Sequence, residues 1–333
     1  MDDIVRLNYG THFREWWKET RERIKDRPTT PLGRQQRVPT ELAYVLLGDA
    51  QHFLLPTGGR ILDDEGKLEA KYASLCYLPF PITAFEFYGL YGDGRAEGRS
   101  NRSSKRIALC IDSATLNKLH IYPAEDDEWG CISVCYLDGA GVWGAFPHMS
   151  LVSRSKTETI DASELVKGES MREEAKSAGY GDFQLKSPKI GAEYMFIKSF
   201  VFPGFDPYPV AAAQLDTRDE LVAAVQACAA LACSNMEKRT VEPSSVLNEK
   251  RKRSGKEPFV AYHILDVAGE RATRGQDKGG SHNSPRQHLR RGHIRRLDET
   301  RVTWVNSCVV GNDVHGKVVK DYRYSQSDAS EKP

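Results

Sequence analysis

Three histidines and five arginines fall within the eighteen positions from Gly279 to Arg296, GGSHNSPRQHLRRGHIRR. Arginine offers a planar fork of donors that matches phosphate, so this density suits a polyanion. Two histidines and an arginine also make up the set that metal-free RNA cleavage needs. One group activates the 2′-hydroxyl, a second protonates the leaving oxygen, and a cation meets the phosphorane charge. His288 and His293, with Arg291 or Arg295, are the catalytic candidates, and His282 or His263 could replace either histidine. A zinc site from His282, His288 and His293 matches no familiar ligand spacing, so neither a metal nor a cofactor is expected.

Geometry limits these readings. Gly292 disfavours a helix, so the segment around Leu289 to Leu297 reads as strand. If Leu297 pairs with Arg301 across a three-residue turn, Arg291, His293 and Arg295 share one face opposite Ser307, Val305 and Thr303. Ile294 then meets Trp304 on the other face, with Val302 and Cys308 nearby. Gly292 lets a ligand backbone come close. On one continuous strand the odd spacing of His288 and His293 turns them opposite ways, so cleavage requires a loop at His288. The expected binding residues are Arg286, Arg290, Arg291, His293, Arg295 and Arg296. The bland alternative is a solvated, charged strand edge that discourages sheet-to-sheet association.

The elements that must position this segment divide the chain in two. Residues 1–240 read as an α+β domain, an antiparallel β-sheet with flanking helices. Residues 241–324 read as a small, basic, β-rich module, and 325–333 as a disordered tail. Helices are expected from about His12 to Lys25, from Thr40 to about Gly48, around Ala162 to Ala178, and from an Asp216 cap to about Met236. Strands are expected at Ile82–Tyr88, Arg106–Ile111, Ile132–Tyr136 and Val142–Phe146, with a hairpin turn at Asp138-Gly139-Ala140-Gly141. Further strands read near Glu193 to Val201, Phe259 to Val267 and Lys317 to Tyr324. His263 reads as a hydrogen-bonded core residue, and His12, His52, His120 and His148 need no special account.

Charge is balanced overall, with 47 Lys plus Arg against 46 Asp plus Glu, so net charge names no partner. It is not balanced locally: from Lys250 to Arg301 basic residues outnumber acidic ones 14 to 6. The run Lys250-Arg251-Lys252-Arg253 reads as a linker patch for nuclear targeting or nonspecific electrostatic contact. Seven cysteines without a CxxC pair fit a reduced compartment. The longest apolar run, Leu221 to Cys233, is too short to span a bilayer, so no membrane partner is expected. No P-loop, GxSxG or HExxH motif is present, which argues against nucleotide hydrolysis.

SPRQHLRRGHIRRL, TWVNSCVVGN and GKVVKDY, from Ser284 to Tyr322, resemble the C-terminal part of phage and prophage proteins with an SPR-x-H-x-RRGH-x-R pattern. The match extends less securely to LPFPITAFEF and SSKRIAL upstream. That family carries no assigned activity. The resemblance implies a phage-encoded protein acting in the bacterial host cytoplasm, and His288, Arg290, Arg291, Gly292, His293 and Arg295 are the matched positions. The leading expectation is a nucleic-acid-binding protein, for RNA or DNA. The alternatives are a metal-independent ribonuclease or other phosphodiester-cleaving enzyme, and a phage protein that binds a host protein.

Overall fold

A computed structural model describes residues 7–25, 31–62, 70–89, 103–159, 193–202, 217–267, 286–290, 292–298, 300–305, 308–310 and 312–317. The expected helix at 162–178, the tail at 325–333, most of the expected strand at 317–324, and Arg291 lie outside the described residues.

An eight-stranded mixed sheet organises the chain. Strands β1 (Gln51–Leu54), β2 (Ile82–Tyr88), β3 (Ser103–Asp112), β4 (Glu128–Leu137), β5 (Val142–Thr159), β6 (Glu193–Val201), β7 (Met236–Val241) and β8 (Tyr262–Val267) lie in the order β6-β5-β4-β3-β2-β1-β8-β7. The run from β2 to β6 is the expected antiparallel meander. The β4–β5 turn closes with Gly141 at φ 66°, donating to the Leu137 carbonyl at 2.8 Å. Strand β1 was not anticipated; it runs parallel to both β2 and β8 and joins the meander to the β7–β8 hairpin.

Alternating strand residues face two cores, as a period of two requires. On one face, Ala84, Ile107, Leu109, Ile132 and Val134 pack under helices α1 (Tyr9–Ile24) and α2 (Pro31–Asp49). On the other, Phe85, Phe87, Ala108, Cys110 and Cys131 meet a 3-10 turn (Ala70–Leu75) and helix α4 (Arg218–Leu231). A short helix α3 (Ser113–Lys118) follows β3, capped by Asp112, which accepts from Thr115 N. Helix α2 runs through Pro39 instead of starting at Thr40, because burial of Ala43, Leu46 and Leu47 outweighs the one lost backbone donor.

Two expectations about the C-terminal half change. Helix α4 ends at Leu231, short of Met236, because the next turn is drawn into other bonds: Ser234 N donates to the Val302 carbonyl at 2.9 Å. Strand β8 follows the expected boundary at 241, yet it is bonded to β1 inside the large sheet. Helix α5 (Ser245–Arg253) fills the supposed linker between β7 and β8. The chain to Val267 therefore belongs to the sheet of the N-terminal part, because a parallel partner for β1 can come only from a distant segment. Beyond it, β10 (His293–Arg296) pairs with β11 (Val302–Val305), and β9 (Arg286–Arg290) lies between β12 (Cys308–Val310) and β13 (Asn312–Lys317). The molecule is α+β, with small C-terminal β elements beside the large sheet.

Candidate nucleic-acid interface

The β10–β11 hairpin forms in the register that the residue pattern predicts. His293 pairs with Val305, Ile294 with Trp304 and Arg295 with Thr303. Leu297 N donates to the Arg301 carbonyl at 2.9 Å, closing the turn. Asp298 holds that turn, accepting from Thr300 N at 3.0 Å, Arg301 N at 2.8 Å and Arg301 Nε at 2.6 Å. Those donors pull the Asp298 carboxyl below the usual carboxylate range, and Arg301 is used in the turn itself.

One side of the hairpin is anchored. Ile294 and Trp304 pack against the core that α4 covers, and Val302 is buried. Asn235 clips the outer strand, its Nδ2 donating to the Trp304 carbonyl at 2.9 Å while its Oδ1 accepts from Trp304 N at 2.7 Å. Trp304 thus anchors the hairpin by packing and by its backbone bonds. Arg295 is exposed on the opposite face, beside half-buried His293. Arg296 is exposed at the strand end on the parity of the anchored face, opposite Val302.

The other expected residues lie elsewhere. Arg286, His288 and Arg290 are on β9, where His288 pairs with Val310 and Arg290 with Cys308. His288 thus sits on a strand, in a different sheet from His293, instead of in the loop that a two-histidine mechanism requires. The structure brings together His293, Arg295 and Arg296; it does not place His288 in their sheet. His263 is half-buried, not core: its ring stacks on Phe80 at 5.4 Å and Nδ1 lies 3.2 Å from Thr240 Oγ1. Partial burial and the Lys238 charge lower its pKa.

Two buried polar clusters have no counterpart in the sequence reading. Glu86, with no exposed surface, accepts from Tyr9 N at 2.7 Å, from Gly10 N at 3.1 Å and from the Tyr262 hydroxyl, while His52 Nδ1 lies 2.7 Å from it. A Cβ at residue 10 would come within 2.6 Å of the His52 ring, so glycine lets α1 start against this carboxylate. Burial and Glu86 push the Tyr9 phenol up to about 12. The second cluster sits at the start of α4, where Arg106 Nη1 lies 3.0 Å from Glu220 Oε1 and His148 Nε2 lies 3.0 Å from Thr217 Oγ1. Among the described residues, Glu220 Oε2 and His148 Nδ1 have no hydrogen-bond partner. Burial raises the Glu220 carboxyl to about 7 and lowers His148 to about 4.

Cys76, Cys110, Cys131 and Cys228 share the core under α4, and Cys110 stands directly opposite Cys131 across β3 and β4. Burial raises the Cys76, Cys110 and Cys228 thiols, which keeps them protonated and poor as nucleophiles. Among the described residues there is no group of three or more His, Cys, Asp or Glu able to hold a metal ion, and no helix long and apolar enough to cross a membrane. No family model, curated protein or solved structure matches the chain.

Proposed function

We propose that this protein binds nucleic acid, RNA or DNA, through the β10–β11 hairpin, with Arg295, Arg296 and His293 meeting the phosphate backbone. The observation that carries this reading is the hairpin's two-sidedness. Ile294, Val302 and Trp304 bury one side, and the Asp298 turn fixes the tip, so exposed Arg295 is presented from a rigid mount. Pre-positioned guanidinium groups lose less entropy on binding than groups on a mobile tail. Arg286, Arg290 and Arg291 belong to the same basic segment and extend the proposal along the chain. A phage-encoded protein in a bacterial host's cytoplasm is part of the same reading, resting on the resemblance of Ser284 to Tyr322. His288 and His293 lie in separate sheets, and cleavage by the pair is not part of this proposal.

The test is a salt titration of the whole protein on labelled single-stranded RNA and duplex DNA, with EDTA present. The slope of log affinity against log salt should fall by about 0.7 to 0.9 for each phosphate contact removed, so Arg295→Ala with Arg296→Ala should lower it by nearly two. An unchanged slope would remove the hairpin from the interface. Strand scission in EDTA that disappears in His293→Ala would restore the enzymatic reading.

A further inference from the structure

The large sheet ends in two edge strands, and they are built differently. At β6 the ladder to β5 loses register between Val152 and Thr157, an irregularity of the kind that spoils an edge as a template. At β7 the six residues from Met236 to Val241 pair in step with Val267 to Tyr262, so the outer side of the strand is a regular row of backbone donors and acceptors. Among the described residues no strand pairs with that outer side. Glu237, Lys238, Arg239 and Thr240 are all exposed, and successive strand side chains point to opposite faces, so both faces of β7 are accessible along this stretch.

The charges on β7 are split between those faces. Lys238 is on the α4 face, its Nζ 4.8 Å from the centre of the Phe80 ring. Glu237 and Arg239 are on the other face, where Glu237 stands opposite Asp266 across the ladder. Asp266 accepts from Arg239 Nε at 2.7 Å, which leaves Glu237 beside a like charge and without an ion pair among the described residues. A guanidinium has further donors on its Nη atoms, so Arg239 can serve a second carboxylate without giving up Asp266.

A second copy of the chain supplies the complement to this edge. Two β7 strands pairing antiparallel about a two-fold axis must be centred on a single residue, because directly opposed side chains share a side of the sheet. Centring on Glu237 or on Arg239 would set that charge against itself. Centring on Lys238 sets Glu237 of each copy against Arg239 of the other, which makes two opposite-charge pairs and neutralises the carboxylate that lacks a cation. The two Lys238 side chains then meet at the axis on the α4 face, each drawn toward its own Phe80 ring.

We infer that β7 is a dimer edge, through which two copies of this chain pair antiparallel, centred on Lys238, and join their large sheets. Main-chain hydrogen bonds supply the affinity of such a contact, and the two Glu237–Arg239 pairs fix its register.

Sedimentation equilibrium of the full chain across the micromolar range tests this. The native chain should be dimeric at the upper end and dissociate on dilution. Glu237→Arg and Arg239→Glu each set like charges opposite one another twice per dimer, and each should weaken dimerisation by about tenfold or more. The double variant Glu237→Arg/Arg239→Glu restores opposite pairs in swapped order and should dimerise as the native chain does. Both side chains are exposed, and thermal melting verifies that the variants are folded. A native chain that stays monomeric, single variants that dimerise like the native chain, or a double variant as weak as the single ones each overturns the β7 contact.

Discussion

Glu86 and Glu220 are both buried carboxylates beside the first turn of a helix, on opposite faces of the same sheet, and they are partnered very differently. Glu86 receives two backbone N–H groups, a tyrosine hydroxyl and a histidine nitrogen, drawn from α1, β8 and β1. Among the described residues, Glu220 has Arg106 on one oxygen and no partner on the other, and His148, also at the start of α4, has no partner at Nδ1. A buried charge is tolerated when its lone pairs are filled and penalised when they are not. The Glu86 cluster therefore ties three distant segments together, while the cluster at α4 stores a cost that depends on proton concentration.

The largest expected effect is at Glu86. Glu86→Ala leaves four polar groups without their acceptor and should destabilise the fold by about 3–5 kcal/mol in urea unfolding. A loss below about 1 kcal/mol would mean that the cluster is incidental.

The second effect is a pH signature at α4. The carboxyl of Glu220 is raised from 4.5 to about 7, so its stabilising contribution is complete below pH 4.5 and is lost as pH rises through 7. His148 is lowered from 6.5 to about 4, so its contribution is present above pH 6.5 and is lost as pH falls toward 4. Each is worth on the order of 3 kcal/mol across its window, and between pH 4.5 and 6.5 they oppose each other. Relative to the native chain, Glu220→Gln should gain stability as pH rises through that window, and His148→Gln should lose it. Denaturant midpoints from pH 4 to 8 read the sign; parallel curves for all three proteins would contradict the assignment.

A smaller effect sharpens the same comparison. Tyr262→Phe removes one donor from Glu86 and keeps the buried ring, so the loss should be about 2 kcal/mol, measured by the same unfolding curves. An equal loss from Glu86→Ala and Tyr262→Phe would show that the backbone donors contribute nothing. The smallest effect is at the hairpin, where Arg295→Ala should change stability by less than about 0.5 kcal/mol, since the side chain is exposed. A larger loss on thermal melting would make Arg295 structural and weaken its role as a ligand contact.

Local pattern was enough for much of the frame. The antiparallel meander from β2 to β6 follows β-rich runs separated by turn residues, and the hairpin register follows from placing Ile294 and Trp304 on one face. Both depend on neighbours within a few tens of residues. The Arg106–Glu220 pair is 114 positions apart, and Tyr262 lies 176 positions from Glu86, so nothing in their spacing announces them. His52 and His148 looked unremarkable for the same reason, although both prove to be buried and bonded.

What the amino-acid order determined by itself is the class of elements and the presence of a basic, arginine-dense hairpin, because hydrophobic period and turn chemistry are short-range. Tertiary structure alone decided that β8 inserts beside β1, that Lys250 to Arg253 form a seated helix instead of a linker, and that His288 and His293 part into separate sheets. Those outcomes turn on which distant strand offers free hydrogen-bonding groups and a matching buried face. Only the folded chain brings such partners within reach.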